Sequence, residues 1–121
     1  MGVAKKHRRK IEIDGRCFLW SVKEDLGWLT NGCHLALSII SEDKHFIISY
    51  GIGQSEPYRH LISLGKEFPK LSQSTKGYQR LRCPQWEQVA IITPEIVCQV
   101  IEWCFIDDVN AIEFDWRGKR L

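Results

Sequence analysis

The sequence predicts an α+β domain, a mostly antiparallel β-sheet of hairpins packed on one C-terminal α-helix. Three observations predict it. Asp14-Gly15 separates two stretches of alternating hydrophobicity at 11–13 and 16–22. A second alternating pair follows at 35–40 and 45–50. Residues 93–105 then join a helix start signal to an apolar stripe of helical period.

Residues 1–9 read as a flexible basic arm, because Lys5, Lys6, Arg8 and Arg9 outweigh the small side chains of Val3 and Ala4 and give a core little to hold. The domain is expected over 10–121, with order starting near Lys10. Asp-Gly tolerates the positive φ angles of a two-residue hairpin turn, which sets Ile13 opposite Arg16 and Ile11 opposite Phe18. Trp20 and Val22 then share the apolar face with them. Residues 23–32, with Gly27, Asn31 and Gly32 around Trp28, read as a connecting loop. In the second hairpin, reversal through Ser41-Glu42-Asp43-Lys44 sets Leu35, Leu37 and Ile39 opposite Tyr50, Ile48 and Phe46.

Gly51-Ile52-Gly53 breaks that ribbon and opens an inserted basic region at 53–86. Within it, 57–64 reads as a short helix stopped by Gly65, with His60 to Leu64 equally readable as extended. Residues 66–77 read as an exposed loop, 78–82 as a weakly alternating strand, and Val89-Ala90-Ile91-Ile92 as a buried strand leading into the helix. Thr93 is placed to cap, Pro94 falls at the first helical position, and Glu95 faces the positive end of the helix dipole. Val97, Val100, Ile101 and Cys104 lie within the apolar stripe. A last strand at 111–116 is expected on a sheet edge.

A length of 121 residues suits one domain with its own core. A hydrophobic share of 44% and a charged share of 26% are those of a globular chain, which argues against disorder over most of it. The longest apolar runs fall far short of a membrane span, and no apolar segment follows the N-terminal charges as in a secretory leader. Five irregularly spaced cysteines suit reduced thiols, so a cytoplasmic location is expected. Charge is segregated along the chain. Residues 57–86 hold six Lys and Arg against Glu67 alone, whereas 87–116 hold seven acids and no Lys or Arg.

The strings Lys10-Ile11-Glu12-Ile13-Asp14-Gly15, Phe18-Leu19-Trp20-Ser21-Val22 and Ile92-Thr93-Pro94-Glu95-Ile96-Val97 resemble a group of small uncharacterised bacterial proteins. Those begin with an IxIDGxxYxWxV hairpin and end in a VTPxxVxxxI helix. The resemblance covers both ends of the chain and leaves 53–86 unmatched. It implies a sheet with one C-terminal helix and brings no functional residue with it. Ile106-Asp107-Asp108 stands where the group has Gly-Trp after the helix.

No catalytic, metal or cofactor signature emerges. Cys33 and His34 are adjacent and would point to opposite faces of a strand, and no CxxC is present. Gly51-Ile52-Gly53 lacks the rest of a phosphate-binding loop. The acidic pairs Glu24-Asp25, Glu42-Asp43 and Asp107-Asp108 fall where turns and helix ends favour acids. The most suggestive group is Lys76, Tyr78, Arg80, Arg82 and Trp86, which mixes cations and aromatic faces in one short segment. Trp28, Tyr58 and Trp116 are candidates for an exposed aromatic patch. The expectation is a small cytoplasmic non-enzymatic binding module without a cofactor or small-molecule ligand. Its partner would be a protein or a second copy joined through the last strand. The alternative is a nucleic-acid binder using the basic arm and 76–86.

Overall fold

The first hairpin follows from two residues. Asp14 and Gly15 take left-handed φ angles of 51° and 80°, the conformation a tight hairpin needs, and this pairs Ile13 with Arg16 and Ile11 with Phe18 as the sequence predicts. The structure, a computed structural model, describes residues 8–25, 27–28, 32–54, 59–71, 79–88, 91–106 and 111–114. Its strands are β1 (Arg9–Ile13), β2 (Arg16–Glu24), β3 (Leu35–Ser41), β4 (Ile47–Gly51), β5 (His60–Ser63), β6 (Gln79–Arg82) and β7 (Glu113–Phe114). They form one seven-stranded antiparallel sheet in chain order, with the helix α1 (Pro94–Cys104) inserted between β6 and β7. The N-terminal arm is expected at 1–9, but Arg9 already pairs with Trp20, and 1–7 lie outside the described residues.

Helix α1 starts as its residues dictate. The Thr93 hydroxyl accepts the Ile96 amide at 3.2 Å, and Pro94 occupies the first turn. Val97, Val100, Ile101 and Cys104 are buried on one sheet face with Phe18, Trp20, Leu37, Ile39, Phe46, Ile48, Tyr50, Leu61 and Leu81. Each large apolar side chain buried there contributes about 1.5–3 kcal/mol. The opposite face has its own small cover. Trp28 lies against Cys33, Ala36 and Ile62, and its indole N–H donates to Ser49 Oγ at 2.8 Å. A Cβ on Gly51 would stand 2.5 Å from that indole, so only glycine lets the ring lie flat on β4.

Five expectations need correction. The second hairpin keeps its predicted faces but slips by two residues, pairing Leu37 with Tyr50 and Ile39 with Ile48. Side chains lengthen its turn. Asp43 accepts from the Ser41 hydroxyl and the His45 amide, Lys44 takes φ 63°, and Ser41 Oγ accepts the Phe46 amide. Of the two readings of 57–64 the extended one at 60–64 holds, and in place of a helix His60–Ser63 form strand β5, paired on both sides. The expected exposed loop at 66–77 holds a buried Phe68 and a buried Lys70 around a 3₁₀ turn, Pro69–Leu71. Ile91 and Ile92 form no strand, and Ile91 is 59% exposed. Both sides of β6 are taken by β5 and β7, so the 91–92 run finds no ladder there. Trp28, offered as an exposed aromatic, is 2% exposed, while Tyr58 and Trp116 lie outside the described residues.

Candidate functional site

The basic segment does not form the platform its composition suggests. Arg80 and Arg82 project from β6 on the face opposite α1, beside Ile62 and His60 of β5. Arg80 is half-buried and Arg82 exposed. Trp86 goes the other way. After Cys83-Pro84 ends the strand, its ring meets Tyr50 at 5.3 Å and Trp103 of α1 at 5.5 Å, edge to face in both cases. It is half-buried against the core rather than set beside the arginines. Lys76 and Tyr78 lie outside the described residues.

A different feature stands at the first hairpin. Its tip and the C-terminal half of α1 enclose a cleft of about 240 Å³ lined by Ile13, Asp14, Arg16, Phe18, Ile101, Glu102 and Phe105. Pairing Ile13 with Arg16 puts both on the helix-facing side, and Ile101 and Phe105 stand one helical turn apart. The walls are apolar, and Asp14 and Glu102 are exposed at their margin with no ion pair among the described residues. Arg16, by contrast, is fully engaged. Its two terminal nitrogens donate to Glu67 at 2.9 and 2.6 Å, and Asp43 lies 3.4 Å away. The Glu67 hydrogen bonds push the Arg16 guanidinium further above its ordinary value. The same guanidinium stands 5.3 Å from the Phe18 ring and 5.6 Å from Phe105. The helix end facing this region has no basic residue in its last turn, so its carbonyl dipole adds negative potential.

The most buried charges among the described residues lie elsewhere and join two segments of the fold. Glu87 accepts from the Tyr50 hydroxyl at 2.6 Å and the Gly53 amide at 3.0 Å, with Arg59 at 3.5 Å. Arg59 in turn donates to the Tyr50 hydroxyl and the Gln54 carbonyl, each at 2.6 Å. Burial and the Glu87 carboxylate push the Tyr50 hydroxyl well above its ordinary value, so it stays a donor. This network ties the turn after β4 to the segment before α1. Lys70, also buried, rests its ammonium 4.3 Å from the Trp103 ring.

Among the described residues, no group of three or more His, Cys, Asp and Glu is placed to hold a metal ion, and no helix is long and apolar enough to cross a membrane. Sequence reasoning passed over both the cleft and the network. The cleft had one signal, the predicted pairing of Ile13 with Arg16 beside a helix of unknown placement. The network had none, since Tyr50 and Glu87 are 37 residues apart. Comparisons with protein-family models, curated proteins and solved structures gave no match.

Proposed function

We propose that this chain is a small cytoplasmic binding module that docks a protein partner and carries no chemistry of its own. The observation that supports it most is the cleft between the β1–β2 tip and α1, an apolar recess whose marginal carboxylates have no ion pair among the described residues. A recess of about 240 Å³ is below the usual range for a small-molecule pocket but suits one anchoring side chain. Nucleic-acid binding is the weaker reading. Arg80 and Arg82 share a face, which favours it, but Trp86 is turned into the core and offers no base a stacking surface there.

The test uses the full chain and its copurifying partner. Ile13→Trp fills the recess from a half-buried position and should abolish a stoichiometric complex that withstands high salt, while Arg82→Glu leaves it intact. The opposite pattern, with oligonucleotide binding that falls steeply as salt rises, would replace this reading with the nucleic-acid one.

A further inference from the structure

We infer that the cleft takes an arginine side chain of the partner, its stem against Ile13, Ile101 and Phe105 and its guanidinium between Asp14 and Glu102. This rests on the protein-docking reading above and names the anchor. Charge complementarity over an apolar recess supports it. Asp14 and Glu102 are the charged lining groups without an ion pair among the described residues, and both are acidic. The lining cation among the described residues, Arg16, has its fork closed on Glu67, so an incoming anion would have to displace a two-bond carboxylate contact. The carbonyl end of α1 favours positive charge on the same side.

The walls suit a guanidinium in particular. Phe18 and Phe105 already face the planar cation of Arg16, which shows that these rings accept that chemistry from the side of Glu67. A planar cation on a long apolar stem can also reach two carboxylates set on different elements, as Asp14 and Glu102 are. An ammonium is more strongly hydrated and less suited to lie against aromatic carbon.

The experiment titrates the full-length, ¹⁵N-labelled chain with N-acetyl-arginine amide, N-acetyl-citrulline amide and N-acetyl-glutamate amide, following amide shifts at Ile13, Asp14, Ile101 and Glu102. The arginine derivative should give saturable shifts there, with citrulline, its neutral near-isostere, about tenfold weaker or worse and glutamate without effect. Asp14→Asn with Glu102→Gln should reduce arginine to the citrulline level without altering thermal unfolding, because Asn tolerates the left-handed φ of 51° at position 14. Added salt should weaken the arginine titration, since both acids are exposed. Equal binding of citrulline, preferential binding of glutamate, or no shift with arginine would overturn the proposal. Loss of the partner complex in Ile13→Trp alongside a failed arginine titration would leave the docking reading standing and the anchor wrong. An intact complex in that variant would remove the docking reading itself.

Discussion

Replacing Glu87 by Gln tests whether the buried network carries the fold's central joint. The carboxylate receives the Tyr50 hydroxyl at 2.6 Å and the Gly53 amide at 3.0 Å on its two oxygens, beside a guanidinium at 3.5 Å. An amide has one oxygen. Whichever way Gln is turned, its NH₂ faces either the Gly53 N–H or a hydroxyl already receiving a hydrogen bond from Arg59. Arg59, at 3% side-chain exposure, meanwhile loses the Glu87 carboxylate that stands 3.5 Å from it. Removing one partner of a buried pair costs about 3–5 kcal/mol, and since Arg59 retains its bonds to Tyr50 and Gln54 the lower end, about 3 kcal/mol, is expected. That is a large share of the roughly 5–15 kcal/mol that holds such a domain together. Urea unfolding should show the midpoint falling at unchanged slope, with a melting temperature lower by about 10–15 °C. Arg59→Met with Glu87→Leu should cost at least about 2 kcal/mol less than the two single changes added together. A Glu87→Gln protein within about 1 kcal/mol of the parent, or a double variant that is simply additive, would refute the reasoning.

Three other outcomes follow from single environments. The Ser41 hydroxyl and then the His45 amide hold Asp43 at about 2, below its ordinary 3.8. Its contribution is therefore present above the ordinary value and lost as pH falls from about 4 through 2; a carboxyl NMR titration of Asp43 with a midpoint near 4 would contradict the turn geometry. Ser63 Oγ is buried with no hydrogen-bond partner among the described residues, so Ser63→Ala should leave stability unchanged or raise it by about 1 kcal/mol in urea, and a clear loss would reveal a partner for the hydroxyl. Half-exposed Cys17 and Cys98 should react with a thiol reagent before Cys33, Cys83 and Cys104, which are buried, and mass mapping reads the order. Burial pushes the Cys33 and Cys104 thiols up as well, so early labelling of Cys104 would mean that α1 lifts from the sheet.

What the sequence disclosed and what it withheld divide by distance along the chain. Asp14-Gly15 and Thr93-Pro94-Glu95 specify their turn and cap through atoms a few residues apart, and both are where the pattern puts them. In the second hairpin, alternation defines the faces because a slip of two residues preserves them, but it does not define the register. That choice depends on Ser41 and Asp43 bonding within the turn and on Arg16 and Glu67 bracing it from other elements. The 89–92 apolar run looks like a strand to any local rule, yet β5 and β7 already stand on both sides of β6, so its described half, 91–92, cannot pair with the strand that precedes it in the chain. The basic segment misleads for a similar reason. Its arginines and Trp86 are close in sequence, and the break at Cys83-Pro84 turns them to opposite sides.

The placement of the cleft also bears on how this fold would meet the partner proposed for it. An antiparallel meander has two open edges, and either could in principle add a strand from another chain. Here one edge, β1, carries Arg9, Lys10 and Glu12 within five residues, and Arg9 folds its guanidinium to 5.5 Å from the Trp20 ring. The other edge, β7, is described over Glu113–Phe114, and the residues that follow Phe114 lie outside the described residues. A charged β1 edge discourages strand addition there and favours contact through side chains instead. At the hairpin tip, Glu67 clamps the Arg16 fork and Phe105 is seated between Phe18 and Phe46, so the walls of the recess are fixed by contacts that a partner need not supply. Less freedom is then lost on docking, and a recess that admits only one side chain can still contribute usefully to affinity.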